Sequence, residues 1–195
     1  GIIMDLVTLV LACSLYADHS IPYAMIQTGT QNNPLVVTVE GTRKTFKSMP
    51  LAIRYTQRQI AEGKKVDIGL MQISSQWLPV IAAHASDLFR PCKNLVVATQ
   101  ILEKLHLQCQ TIAANDPNTD IHACVLSLYK TRDPQSGLAY ANQVMQYAKR
   151  HPFSVLAEKA RDPGMLAATE KTETKPTSPT QTLTENTNSA YPSSH

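Results

Sequence analysis

Between residues 5 and 150 the chain is dominated by apolar residues spaced three and four positions apart, the repeat of an amphipathic helix. The first such segment runs from Asp5, its expected N-cap, to about Tyr16, with apolar positions at Leu6, Leu9, Val10 and Cys13. The longest begins after a second expected cap, Asn94, and carries Leu95, Ala98, Leu102, Leu105 and Cys109 on one face. With Ser20 capping the first of them, further helices are predicted over residues 21–28, 49–62, 121–129 and 136–150.

One stretch has the composition of strands instead. Leu35 to Val39 is β-branched and extended, Glu40-Gly41 is a turn signal, and Thr42 to Phe46 can return as a partner strand. A short third strand is predicted just before the glycine of Asp67-Ile68-Gly69. Together with the helices, this predicts a mainly helical α+β fold with a hairpin or three-stranded patch.

Length and composition divide the chain into a folded part and a tail. A chain of 195 residues can hold one well-buried domain, which we place at residues 1–150, followed by a linker at 151–165. Residues 166–195 are rich in Thr, Ser, Pro, Asn and Glu and have almost nothing to bury, so they are predicted to be a disordered tail.

The net charge excludes few classes of binding partner. The net charge of +3 suits an anionic polymer without requiring one. Basic residues are not interleaved with aromatic ones in the manner of single-strand binders, so we expect no nucleic-acid partner. The six histidines lack metal-ligand spacing, and no metal or cofactor is expected.

The four cysteines, Cys13, Cys92, Cys109 and Cys124, contain no Cys-x-x-Cys pair, which argues against a zinc site. Disulfides in an oxidising compartment and buried free thiols both fit an even set. Four cysteines allow three pairings, and the sequence leaves all three open.

Residues 6–12 are apolar enough to suggest the core of a signal peptide, and Val10-Leu11-Ala12-Cys13 resembles a lipoprotein cleavage site. However, no Lys or Arg precedes the run, and Asp5 stands at its start. We therefore favour a helix of the mature domain, with any export signal already removed. No segment is long enough to span a membrane.

Several short motifs follow one another along the chain. The end of the second helix runs into a turn with Asn33-Pro34, and the third strand leads into Gly69-Leu70-Met71-Gln72-Ile73. The fifth predicted helix contains Leu126-Ser127-Leu128-Tyr129. Two further blocks are Asp5 with Leu9 and Cys13, and the run Phe89-Arg90-Pro91-Cys92-Lys93-Asn94-Leu95.

In this order, the motifs resemble those of the lytic transglycosylases, goose-lysozyme-like enzymes that cut peptidoglycan. The two further blocks are most similar to the small transglycosylases of type IV secretion systems. The resemblance implies a lysozyme-like fold, peptidoglycan strands as substrate, secretion subunits as partners, and a periplasmic location that favours disulfides. It also implies cleavage of the MurNAc-GlcNAc β-1,4 bond to 1,6-anhydro ends, without cofactor.

The family's catalytic glutamate ends the helix four residues before the asparagine of Asn-Pro, and Gly29 occupies that position. The resemblance therefore implies an impaired enzyme. It assigns Thr30 a contact with the acid or the substrate, Met71 and Gln72 the lining of the sugar cleft, and Tyr129 the opposite wall.

Alternatives stay open at several of these positions. Tyr129 and Met71 also fit an ordinary apolar core, whereas a glutamine such as Gln72 needs a partner if it is buried. Lys130-Thr131-Arg132 departs from the family's Asn-x-Gly after the tyrosine. Two other carboxylates could replace the missing acid, but each has a more ordinary interpretation. Glu40 is typical of a solvent-exposed turn, and Asp67 is typical of a residue at a strand end that accepts hydrogen bonds from backbone amides.

Two other functions compete with the impaired transglycosylase. One is a non-enzymatic peptidoglycan-binding scaffold that recruits secretion subunits. The other is a lysozyme-type hydrolase, which shares the fold and differs in its product.

Overall fold

A computed structural model describes residues 5–161, which form seven α-helices, two 3-10 turns and one small sheet. The helices are α1 Leu6–Cys13, α2 Ser20–Thr28, α3 Met49–Ala61, α4 Pro91–Asn115, α5 Ile121–Thr131, α6 Leu138–Arg150 and α7 Phe153–Arg161. The strands are β1 Val36–Val39, β2 Thr42–Thr45, β3 Val66–Ile68 and β4 Ile73–Ser74. This mainly helical α+β architecture confirms the predicted lysozyme-like fold class.

Several predicted helix ends are confirmed by their capping contacts. The Asp5 carboxylate accepts a hydrogen bond from the Thr8 amide at 2.9 Å and caps α1. Ser48 caps α3, and Gly63 follows that helix with φ +81°, a left-handed conformation that favours glycine. The predicted Ser20 cap is wrong, because Ser20 is already helical and its amide bonds the Asp18 carboxylate at 3.1 Å.

The predicted Asn94 cap is also wrong. Arg90 is the N-cap, and helix α4 begins at Pro91, four residues before the start that an Asn94 cap would set, because proline is well tolerated in a first helical turn where its missing N–H costs nothing. Asn94 is fully buried and its side chain makes three hydrogen bonds. Its Oδ1 accepts from the Met71 amide at 2.8 Å, and its Nδ2 donates to the carbonyls of Ile68 at 3.0 Å and Leu88 at 2.8 Å. Asn94 therefore anchors the Gly-Leu-Met-Gln loop to α4.

The sheet has the strand order β2-β1-β3-β4, and every pairing is antiparallel. The predicted hairpin is confirmed, and Glu40 and Gly41 turn it with φ values of +48° and +87°. The predicted three-stranded patch gains a fourth strand, because Ile73 and Ser74 turn back along β3. All four residues of β2 are exposed, so the sheet packs on the core mainly through β1 and β3.

The core lies between the sheet and a layer of helices in which α4 packs on α5, α5 on α6, and α6 on α2. Helix α7 was not predicted: it occupies part of the region expected to be a linker, residues 151–165. Its buried residue Phe153 contacts the rings of Tyr23 and His19 at 5.5 and 5.7 Å, so the helix packs on the domain. The predicted tail, residues 166–195, lies outside the described residues.

Two disulfides select one of the three possible pairings. Cys13–Cys92 joins the end of α1 to the start of α4, and Cys109–Cys124 joins α4 to α5. Within residues 5–161 there is neither a free cysteine nor a cluster of three or more His, Cys, Asp or Glu side chains placed to hold a metal. The helices of that same range are all too short or too polar to cross a bilayer.

Removing the Cys109–Cys124 bridge should cost about 3 kcal/mol of unfolding free energy, because the bridge closes a short loop, with a sequence separation of 15 residues, in the unfolded chain. Denaturant unfolding of the Cys109→Ala/Cys124→Ala variant measures the loss. Loss of Cys13–Cys92 should cost more, about 4.5 kcal/mol, since its sequence separation is 79 residues. A reversed order of the two losses would contradict loop closure as the main cause.

Candidate active site

A cleft opens where the end of α2, the β-hairpin, the β3–β4 loop, α5 and α6 meet. Its cavity volume is about 170 Å³. It is lined by Met25, Gly29, Thr38, Gly41, Arg43, Met71, Gln72, Tyr129, Lys130 and Tyr140. Four of the five residues predicted from the motifs thus share one cleft. A larger cavity of about 820 Å³ lies between the α1–α2 loop and α7, and its lining contains none of the five.

Gly29 ends α2, and both of its backbone polar groups are engaged. Its amide donates to the Met25 carbonyl at 3.0 Å, and its carbonyl accepts from Arg43 Nη1 at 2.9 Å. A Cβ at this position would lie 2.8 Å from the Met25 carbonyl oxygen, which is closer than side chains normally approach. Any residue other than glycine therefore requires the end of α2 to shift.

Thr30 is buried beside Gly29 but does not line the cleft. Its hydroxyl donates to the Leu70 carbonyl at 2.8 Å and so ties the end of α2 to the Gly-Leu-Met-Gln loop. The predicted contact with an acid or a substrate would require this bond to break. In this structure Thr30 positions the loop.

Gln72 turns the β3–β4 loop with φ +51°, and its side-chain amide holds that turn in place. Nε2 donates to the carbonyls of Val36 at 3.1 Å and Gly69 at 2.9 Å, while Oε1 accepts from the Thr38 hydroxyl at 2.6 Å. Both N–H donors of the amide are thus used inside the protein. Gln72 lines the cleft, and its oxygen is the part of the amide left with accepting capacity for a ligand.

Tyr129 reaches the same loop from α5, on the opposite wall. Its hydroxyl donates to the Met71 carbonyl at 2.7 Å, and the side chain is buried. Burial, and to a smaller extent the nearby Tyr140 and Asp67, raise the pKa of Tyr129 well above its ordinary value of 10.0. Tyr129 is therefore a neutral donor near pH 7, and its role here is to support Met71.

The sequence analysis missed four polar residues of the lining: Thr38, Arg43, Lys130 and Tyr140. Lys130 Nζ lies 5.3 Å from the centroid of the Tyr140 ring, a cation–π contact. Burial raises the pKa of Tyr140, and the charge of Asp67 adds to the shift. The departure at 130–132 from the family pattern was the available signal for Lys130. Arg43 stands on a fully exposed strand, which gives a sequence no sign of a site.

The two substitute acids weighed from the sequence, Glu40 and Asp67, do not line the cleft. Glu40 is exposed at the tip of the hairpin. Asp67 is paired with Thr38 across β1 and β3, so it lies on the face of the sheet that Thr38 turns to the cleft. Its carboxylate pairs with Lys65 at 3.3 Å. Among the residues described around the cleft, none of the lining side chains is a carboxylate.

The buried tyrosines predict a loss of stability in alkali. The pKa of Tyr129 is higher in the folded than in the unfolded chain, so its contribution to stability is fully present below about pH 10. Above that pH the unfolded chain releases a proton that the folded chain retains. The free energy of unfolding should then fall by about 1.4 kcal/mol per pH unit for this group.

Urea unfolding between pH 9 and 11.5 measures this slope in the parent, in Tyr129→Phe and in a control, Tyr55→Phe, which lies outside the cleft. The Tyr129→Phe variant should be less stable at pH 8 but show a shallower slope. Identical slopes in all three proteins would contradict the assignment.

Comparison with known proteins identifies one matching protein family. Residues 49–141 match the family described as Transglycosylase SLT domain. The matched range begins after α2 and includes Met71, Gln72, Tyr129, Lys130 and Tyr140, while Gly29 and the hairpin precede it. The chain matches no curated protein and no solved structure. Over residues 49–141 the chain therefore carries a transglycosylase SLT domain, the domain of the lytic transglycosylases that act on peptidoglycan.

Proposed function

We propose that this protein is the peptidoglycan-cleaving subunit of a type IV secretion or conjugation apparatus in the periplasm, and that in this chain the cleft binds glycan strands but turns them over poorly. The observation that carries the proposal is Gly29. It lies in the cleft with Met71, Gln72 and Tyr129, where the family resemblance expects the catalytic glutamate.

The reaction needs one group that both gives and takes a proton. A buried carboxylic acid protonates the oxygen of the MurNAc-GlcNAc bond as that bond breaks. The resulting carboxylate then removes the proton of the sugar's own C6 hydroxyl, which attacks the anomeric carbon and closes the 1,6-anhydro ring. With Gly29 at this position, neither transfer has its proton carrier, whereas Met71, Gln72 and Tyr129 still line the cleft.

The secretion-system assignment is supported by the order of the flanking blocks. Asp5 and Cys13 open the domain, and Cys92 lies in the run from Phe89 to Leu95. The bridge Cys13–Cys92 joins these two blocks. Two disulfides among residues 5–161 also suit a periplasmic protein, because thiols of most cytosolic proteins are kept reduced.

Co-sedimentation with purified sacculi tests the binding part of the proposal. The parent should sediment with the sacculi, and Tyr140→Ala should bind on the order of tenfold more weakly, because truncating an aromatic side chain in a binding cleft commonly costs more than 1 kcal/mol. Tyr55→Ala, outside the cleft, is the matched control and should bind like the parent. Thermal unfolding verifies that both variants are folded. Equal binding by both variants would place the glycan elsewhere.

A second candidate, the non-enzymatic scaffold, is favoured by one observation. The backbone at Gly29 leaves no room for a Cβ beside the Met25 carbonyl, so the end of α2 is shaped for glycine. A scaffold would retain sacculus binding and would stay inactive when glutamate is placed at position 29. The impaired transglycosylase would regain activity.

A further inference from the structure

The cleft is lined by positively charged side chains, whereas a site with an acid catalyst is expected to contain a carboxyl group. Two cationic side chains line it, Arg43 from β2 and Lys130 from the end of α5. Within the described lining there is no acidic side chain to balance them. Asp67 lies on the same face of the sheet, pairs with Lys65 at 3.3 Å and is not part of the lining.

Both cations are held by the cleft itself. The Arg43 guanidinium donates through Nη1 to the Gly29 carbonyl at 2.9 Å, which leaves its other N–H groups for a ligand. Lys130 lies over the Tyr140 ring at 5.3 Å, a contact that orients the ammonium without using its three N–H donors. A third nearby cation, Arg132, is stacked on Trp77 at 4.9 Å and is not part of the lining.

We propose that the cleft recognises a carboxylate of the glycan strand, held between Arg43 and Lys130 beside Gly29. The inference rests on the proposed function, binding of peptidoglycan in this cleft, and names the feature of the strand that is bound. A carboxylate accepts charge-assisted hydrogen bonds from both side chains. Two parts of peptidoglycan carry this chemistry: the lactyl group of MurNAc, once its peptide has been removed, and the stem peptide.

Binding of three soluble probes tests the proposal: denuded strands with free lactyl carboxylates, strands that retain their peptides, and neutral oligosaccharides of N-acetylglucosamine. At low salt, at least one carboxylate-bearing probe should bind more tightly than the neutral probe, and the preferred probe identifies the source. Arg43→Gln and Lys130→Gln should each weaken that binding about fivefold, the upper range for an exposed ion pair. Added salt should narrow the difference.

The matched variants separate charge at this site from charge in general. Lys104→Gln removes an exposed cation of α4, away from the cleft, and should bind the carboxylate probes like the parent. Arg43→Lys keeps the charge and should retain most of the affinity. Equal binding of all three probes, or equal losses in Lys104→Gln and Lys130→Gln, would overturn the proposal. If sacculi and all three probes fail to bind, the proposed function fails with it.

Discussion

Replacing Gly29 by glutamate is expected to raise the rate of glycan cleavage by at least 10²–10⁴-fold, the range typical of a general acid or base. The other residues that line the cleft are not changed by this substitution. The new carboxyl would enter a cleft in which burial against Met25 and Met71 favours the protonated acid, while the nearby Arg43 and Lys130 favour the carboxylate. The rate is measured as release of 1,6-anhydro muropeptides from sacculi.

The substitution should also destabilise the protein. The new Cβ would start 2.8 Å from the Met25 carbonyl oxygen, and relieving such crowding typically costs about 1–3 kcal/mol. Gly29→Gln meets the same crowding and has no acid, so it is the matched control. It should lose as much stability as Gly29→Glu and remain inactive. Equal activity of the two variants would show that the carboxyl is not the missing group.

Replacing Asn94 by leucine is expected to have the largest effect on stability, about 5 kcal/mol. The change would leave the Met71 amide and the carbonyls of Ile68 and Leu88 buried without partners, and each such group costs about 1–3 kcal/mol. A loss of that size approaches the total stability of many domains, so the variant should be largely unfolded in mild urea.

The control for this prediction lies at the other end of the same helix. Asn115 is exposed, and its side chain makes one long bond of 3.4 Å to the Thr111 carbonyl. Asn115→Leu should therefore change the unfolding free energy by less than about 0.5 kcal/mol. Urea midpoints compare the two variants. If Asn94→Leu is as stable as Asn115→Leu, Asn94 does not anchor the loop.

The sequence predicted the helices and strands whose apolar residues repeat at a regular spacing. Helices α1 to α6 follow apolar positions at helical spacing, and the hairpin follows β-branched residues around a Glu40-Gly41 turn. Helix α7 was missed because it is short and buries only Phe153 and Ala157. Strand β4 has two residues, too few for any pattern.

Asn94 shows why local chemistry can mislead. Asparagine is a common N-cap, and the pattern of apolar residues after it was correct. However, Pro91, three residues before Asn94, is itself compatible with a first helical turn, so the helix begins there. The buried amide is then free to bond three backbone groups on other segments, a set of contacts that no sequence window contains.

Only those residues of the candidate site that belong to a family motif could be predicted from the sequence. Gly29, Met71, Gln72 and Tyr129 stand in family blocks and meet in the cleft. No motif indicates that the N–H groups of Gln72 also hold the loop, because their partners are backbone carbonyls. Lys130 carried only the weak signal of a departure from the family pattern. Arg43 gave none, because a lone charge on a short exposed strand has the pattern of ordinary solvated surface.

The central claim is that this cleft holds peptidoglycan without the acid that cuts it. Incubating the unchanged protein with purified sacculi, then assaying the pellet for protein and the supernatant for 1,6-anhydro muropeptides, tests both halves in one sample. The predicted result is protein in the pellet with release at the level of Gly29→Gln. Release that matches Gly29→Glu would contradict the claim, and Asp67 or Glu40 would then be the acid to seek.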